Sequence, residues 1–310
     1  MTSPETQPDS RIYLKAQTIG GLAHESLRKY PSGVIFGTTS RGVFIRMEGK
    51  FLGFISYEEF RGPLTINVPL RGGIPLPLEI GSSFQITANQ INFQQAGCMI
   101  SIKNPAVWRP PDPSMNALPA SRRHERLIST ADYLLSKRAN SDSVRLLAEL
   151  LDLSNPIILS SPSRLTHSTD IHRLKNANTI SDQLVTTASM SRWLGSGPGL
   201  TPSGDDLVLG VLLALNRWKS VLCREQNLNL LNLEIVEAAY RKTTTLSANL
   251  IECASLGLAD ERLIRVLDGL MSEQQGSQAQ IDEMLDWGDS SGMDVFVGFA
   301  IAFLAGENHP

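Results

Sequence analysis

Apolar and polar positions along this chain fall into two textures. Between residues 33 and 102 the apolar residues come in short β-branched and aromatic runs: Val34-Ile-Phe36, Val43-Phe-Ile45, and the stretches 51–55, 64–68, 84–87 and 99–102. Turn-forming residues part them, at Ser40-Arg-Gly42, Glu48-Gly-Lys50, Arg61-Gly-Pro63, Arg71-Gly-Gly73, Gly81 and Ala96-Gly97. Strands so closely spaced predict a compact antiparallel sheet or small barrel. One amphipathic helix is predicted ahead of them over 19–30, where Ile19, Leu22, Ala23 and Leu27 share a face.

Beyond residue 121 the apolar period lengthens to that of helices. The pattern predicts helices over 122–138, 141–153, 181–194, 204–219, 229–256, 260–272, 278–286 and 292–305, with Gly257 and Gly306 as stops. Between the two textures, Asn104-Pro-Ala-Val-Trp-Arg-Pro-Pro-Asp-Pro-Ser114 holds four prolines in eleven residues. Proline fixes φ and removes a donor, so neither helix nor central strand continues through it. Trp108 is expected to anchor this connection. The fold class is α+β: a polar tail at 1–10, expected to be disordered, a β-rich domain at 11–103, a linker at 104–120, and a helical domain at 121–310.

Two of the predicted helices are apolar on nearly every face, which places them inside the core. Their starts repeat each other. Ser203-Gly-Asp-Asp-Leu-Val-Leu-Gly-Val-Leu-Leu-Ala-Leu215 lines up with Ser291-Gly-Met-Asp-Val-Phe-Val-Gly-Phe-Ala-Ile-Ala-Phe303. Ser, Gly, the second acid, Gly210/Gly298 and Ala214/Ala302 coincide, whereas Asp205 stands against Met293. Gly and Ala one turn apart let a backbone approach its neighbour. We therefore expect two central helices with neighbouring N-termini.

The first copy is preceded by alternating glycines at Gly195, Gly197 and Gly199, followed by Thr201 and Ser203-Gly204. Glycines at that density mark a backbone that bends sharply or approaches something closely. A glycine-rich loop ahead of a helix delivers N–H groups to its positive end, where an anion such as phosphate or carboxylate is favoured. The rival explanation is a Ser-x-x-Asp capping box, accounting for Ser203 with Asp206 and Ser291 with Asp294. It does not account for the alternating glycines, Thr201 or Asp205. The candidate anion-binding residues are Gly195, Gly197, Gly199, Thr201, Ser203, Gly204, Ser290, Ser291 and Gly292; the candidate catalytic acids are Asp205, Asp206 and Asp294. Asp206 reads as the cap and Asp205 as the outward group, a base or a ligand to Mg²⁺; no metal site is otherwise indicated.

Other polar groups leave alternatives open. Arg241, Thr244, Thr245, Ser247 and Asn249 either project toward a central ligand or form the wet side of a helix. His167, Asp170 and His172 lie in a polar stretch at 155–178, where Arg164 or His167 could serve a nearby site from a loop; no spacing there fixes metal ligands. Cys253 has no evident base beside it.

With 310 residues the chain has room for two cores. A net charge of −3, without long runs of one sign, argues against a nucleic-acid partner. Three isolated cysteines fit a reduced, cytoplasmic setting. No signal-peptide pattern opens the chain, and no apolar stretch reaches the ~20 residues of a membrane span. The sequence has no Walker-type Lys-Ser/Thr ending, no dinucleotide fingerprint and no His-Glu-x-x-His.

The pair Gly199-Leu-Thr-Pro-Ser-Gly-Asp-Asp206 and Gly288-Asp-Ser-Ser-Gly-Met-Asp294, behind a β-rich half, resembles a bacterial family of formerly unknown function. One branch is a subunit of the oxamate carbamoyltransferase of allantoin degradation, which converts oxalurate and phosphate to oxamate and carbamoyl phosphate with two other subunit types. The family commonly has Gly-His/Asn-Thr-Ser-Gly where this chain has Gly288-Asp-Ser-Ser-Gly292. The resemblance implies a carbamoyltransferase-type subunit with a small anionic substrate, partner subunits and an oligomeric state. The alternatives are a non-catalytic assembly or regulatory subunit, and a kinase-like Mg²⁺-nucleotide site.

Overall fold

In the computed structural model, the described residues are 12–48, 51–68, 70, 76–137, 142–151, 185–223, 227–274 and 276–307. The tail at 1–10, the Arg71-Gly72-Gly73 turn and the polar stretch at 155–178 with Arg164, His167, Asp170 and His172 lie outside them. The chain divides into two compact units, Met1–Arg109 and Pro110–Pro310.

The first unit is one mixed sheet of ten strands. They are β1 Ile12–Lys15, β2 Thr18–Gly20, β3 Ser32–Thr39, β4 Gly42–Met47, β5 Leu52–Ser56, β6 Thr65–Asn67, β7 Ser83–Thr87, β8 Gln90–Phe93, β9 Cys98–Ser101 and β10 Ala106–Trp108. Their order across the sheet is β1-β9-β8-β7-β3-β4-β5-β6-β2-β10. All six predicted strands are present. The pattern gave no sign of β1, β2, β8 or β10, the last lying inside the proline-bearing stretch. The sheet is mixed where antiparallel pairing was expected: β1 with β9, β2 with β10, and β5 with β6 run parallel.

The connection from β1 to β2 decides the shape of this sheet. Laid flat, ten strands would be roughly 40 Å wide. Yet β1 and β2, near opposite ends of the order, are joined only by Ala16 and Gln17, which span about 7 Å at most. Ala16 donates to the Ser101 carbonyl on one side and Gln17 to the Asn67 carbonyl on the other, both at 2.9 Å. The ends must therefore meet, and the sheet curls toward a barrel. Its inward residues, among them Ile35, Ile45, Ile55, Ile66, Phe84, Ile91 and Ile100, form one core, and helix α1 (Gly21–Lys29) buries Ala23 and Leu27 in it.

The second unit is helical among its described residues: α2 Ala120–Lys137, α3 Asp142–Leu150, α4 Thr187–Trp193, α5 Ser203–Arg217, α6 Lys219–Leu222, α7 Leu228–Lys242, α8 Thr245–Ser255, α9 Glu261–Met271, α10 Gln278–Leu285 and α11 Ser291–Glu307. The single helix predicted over 229–256 breaks at Thr243-Thr244, where Thr244 takes an extended backbone and its side chain caps α8. Gly257 is a stop, with φ +72°. Gly306 is not, because α11 runs through it; there glycine serves close packing, since an added Cβ would lie 3.0 Å from the Leu222 backbone.

The two apolar helices, α5 and α11, are the centre of this unit. They touch at Gly210 and Gly298. A Cβ built on Gly210 would fall 2.1 Å from the Val295 carbonyl oxygen, and one on Gly298 would fall 2.3 Å from that of Leu207. Leu207 and Val295 are themselves equivalent in the repeat. The contact is reciprocal, as across a local two-fold axis.

Candidate functional site

The repeat extends upstream of what the sequence showed. Helix α4 follows the cap Thr186, whose side chain accepts from the Ser189 N–H; α10 follows Ser277, which accepts from Gln280. Seven residues after each cap stand Trp193 and Met284. Their carbonyls lie 2.1 and 1.9 Å from where Cβ atoms on Gly204 and Gly292 would be. The Gly204 N–H donates to the Ser196 carbonyl at 2.9 Å, and the Gly292 N–H to that of Trp287 at 3.0 Å. Each copy is a helix, a loop, and a buried helix whose second residue must be glycine. Between these matched points the first loop spans residues 197–202 and the second 288–290, six residues against three.

The longer loop is the glycine-rich one. Gly195, Gly197 and Gly199 all have positive φ, at +77°, +118° and +100°, a conformation that side chains other than hydrogen strongly resist. Gly195 and Gly204 spend their N–H groups internally, on Asp205 Oδ1 at 2.7 Å and on Ser196. Among the described residues, the amides of Gly197, Gly199, Leu200, Thr201 and Ser203 have no acceptor. The loop is exposed from Gly197 to Leu200 and half-buried at Thr201 and Ser203.

The α7–α8 break shapes this loop. Thr243 donates its hydroxyl to Asp205 Oδ2. Thr244 donates to the Leu200 carbonyl at 2.7 Å. A trans peptide sets its N–H opposite its C=O, so clamping that carbonyl turns the Thr201 N–H away from Thr244. Thr243 and Thr244 thus hold the loop. Arg241 does not join them: it is exposed and pairs with Glu237 one turn back. Asn249 bonds to the Tyr240 hydroxyl and the Thr245 carbonyl.

The two adjacent acids do not divide their labour as expected. Asp205, read from sequence as the outward group, is 1% exposed, and both its oxygens tie down the loop. Asp206, read as the cap, caps nothing: the residue ahead of α5 is Pro202, whose carbonyl receives the Asp205 and Asp206 N–H groups. Ser290 supplies its carbonyl to the Met293 and Asp294 N–H groups and its hydroxyl to Asp294 Oδ2 at 3.0 Å. Ser143, from α3, donates to Asp294 Oδ1, a partner no sequence signal announced.

The two copies meet through side chains: the hydroxyls of Thr201 and Ser291 lie 3.0 Å apart. Asp206 sits against this pair, 1% exposed, and its Oδ2 has no hydrogen-bond partner. Burial pushes its carboxyl well above the usual range; the charges of Asp294 and Asp205 add to this, while hydrogen bonds from Ser291 and Thr201 oppose it. Among the described residues, no three acidic, histidine or cysteine side chains are grouped as metal ligands. Burial also holds the Cys253 thiol up, in its unreactive form.

Thr201, Ser291, Asp206 and Asp294 therefore meet where the two buried helices begin, and Gly195, Gly197, Gly199 and Gly204 shape the loop beside them. Ser203 lies half-buried at the start of α5, Ser290 supports Asp294, and Gly292 serves packing. Among the described residues, no helix is long and apolar enough to cross a membrane. No solved structure matches the chain. Over residues 193–303, which hold both loops and nearly all of the helix pair, the chain is similar to the family described as oxamate carbamoyltransferase subunit AllH.

Proposed function

We propose that the helical unit binds a small oxyanion, phosphate or carboxylate, at the Gly197–Ser203 amides, and that the chain serves as a subunit of a carbamoyltransferase. The observation that carries this is the set of loop amides left without acceptors at the start of a buried helix. Three positive-φ glycines, Asp205 and Thr244 hold that set open. Unpaired N–H groups at a helix N-terminus favour negative charge. Similarity to a family described as an oxamate carbamoyltransferase subunit supplies the substrate class: oxamate and carbamoyl phosphate both present oxyanions.

Carbamoyl transfer passes charge onto a carbonyl oxygen, and preorganised amides and hydroxyls stabilise such charge. Thr201 and Ser291 supply hydroxyls from both copies; Asp205 and Asp294 position groups around them. Other subunits are the partners this reading requires, in the cytoplasm. The reading is tested by calorimetric titration with carbamoyl phosphate, oxamate and phosphate. Saturable binding is expected in the wild type and at least tenfold weaker binding in Gly197→Val, whose added Cβ meets the Ser203 N at 2.9 Å.

A non-catalytic assembly role has its own supporting observation. A Cβ on Gly210, Gly298 or Gly204 would strike facing backbone, as expected of glycines kept for close helix packing. No anion binding, by the chain alone or with co-purified subunits, would favour that role.

A further inference from the structure

Asp206 is the one acid of the cluster whose hydrogen bonding is incomplete. Asp205 receives the Gly195 N–H and the Thr243 hydroxyl; Asp294 receives the Ser143 and Ser290 hydroxyls. Each therefore has a donor on both oxygens. Asp206 has the Thr201–Ser291 hydroxyl pair near it, but its Oδ2 is shut off from water and unpartnered. A carboxyl buried with an unpartnered oxygen, and facing the charges of Asp294 and Asp205, is a poor place for a further negative charge.

We propose that Asp206 is the proton-holding acid of this site: it is neutral at physiological pH and offers an Oδ2–H to the incoming oxyanion beside the Thr201–Ser291 hydroxyls. The anion is then accepted only while Asp206 keeps its proton. This deepens the oxyanion-site reading and rests on it for the identity of the acceptor.

The titratable groups facing Asp206 are Asp205 on its own helix and Asp294 on α11; the α7–α8 break reaches the cluster through Thr243, and α3 through Ser143. All that act on its titration are acids or hydroxyls. A carboxyl so placed supplies a hydrogen bond without adding the negative charge that would repel the ligand. It also selects for ligands that accept there, an oxyanion or a carbonyl oxygen, over ammonium groups.

Two measurements on the full chain decide the matter. The first is infrared difference spectroscopy of wild type against Asp206→Asn near neutral pH. A protonated-carboxyl C=O stretch that disappears in the variant is expected; its absence from the wild type overturns the proposal, whether or not any anion binds. The second is calorimetric binding of sulfate, whose charge is constant from about pH 5 to about pH 9. Affinity is expected to fall about tenfold per pH unit once Asp206 ionises, because one proton is linked to binding. Asp206→Asn, which cannot ionise, is expected to show sulfate binding with that slope removed. Sulfate binding that is flat with pH, or an unchanged slope in the variant, overturns the proposal. Failure of the wild type to bind any anion removes the oxyanion reading instead, and the infrared result still decides the protonation of Asp206.

Discussion

The two helix–loop–helix copies in the second unit share a frame and differ in what they do with it. Both begin on a Thr or Ser cap, and both set a glycine against a carbonyl near the end of the first helix. Both send an apolar helix through the core, and the helices meet at equivalent glycines. In the second copy three residues separate the matched carbonyl at Trp287 from the buried helix, and Met293 packs in the core behind them. In the first copy six residues separate the matched carbonyl at Ser196 from the buried helix, and Asp205 takes the place of Met293. The lengthened backbone needs something inside to hold it, and a buried carboxylate accepting a loop N–H and a threonine hydroxyl provides that. One copy is closed by apolar packing; the other is held open by hydrogen bonds.

The frame itself is the most sensitive place to break. Gly210→Val or Gly298→Val would drive a side chain into the facing backbone, with no flexible group to move aside. A loss of about 4 kcal/mol or more is expected, read as loss of soluble, cooperatively melting protein. Next comes an exchange of the distinguishing residue. Met293→Asp puts a carboxylate into a site 1% exposed, in the copy without the long loop to receive it. About 3 kcal/mol of destabilisation is expected in chemical denaturation.

Asp205→Ala should cost less, about 2 kcal/mol, while abolishing anion binding because the Gly195 turn loses its anchor. Should anion affinity survive in a folded Asp205→Ala protein, the carboxylate is not what keeps the loop open.

Asp206→Asn works in the opposite direction. Its carboxyl is raised in the folded state by burial first, so the folded protein holds a proton that the unfolded chain gives up. Stability from this group therefore falls as pH climbs from the ordinary carboxylate range, about 4, through the raised value. The asparagine variant should be the more stable by on the order of 1 kcal/mol at neutral pH, with a flatter melting-temperature profile.

The smallest effect on stability is expected at Gly199→Ala. Its Cβ would meet nothing within 4 Å, so only the φ of +100° resists it, at about 1 kcal/mol. Anion binding should nonetheless weaken, because relieving that strain turns the neighbouring amides away.

The helices at the centre were legible because burial on all sides leaves an unbroken apolar run, and the six predicted strands because short β-branched runs lay between turns. Strands β1, β2 and β10 were not, since each is three or four residues long and owes its existence to partners far away in the chain. The candidate site was legible as a place, through its glycines and repeated Ser-Gly-x-Asp, and misread in its parts. Asp205 and Asp206 are neighbours with the same chemistry, and which one reaches the loop depends on where Gly195 and Thr243 arrive. Thr244 reads from sequence either as facing a central ligand or as the wet side of a continuous helix, and Thr243 and Ser143 carried no signal of their own.

Composition and periodicity by themselves settled the α+β class, the buried pair of helices, the duplication and the need for an unusual backbone at 195–199. These are local properties, written into side-chain volume, branching and the freedom of glycine. Tertiary structure alone decided that the sheet curls so its ends meet, that the two copies face each other at Gly210 and Gly298, and that Asp206 is the acid left with an unmet hydrogen bond. Those outcomes turn on which groups from distant segments come within bonding distance and which are left without water. Burial and pairing of that kind are properties of the packed molecule.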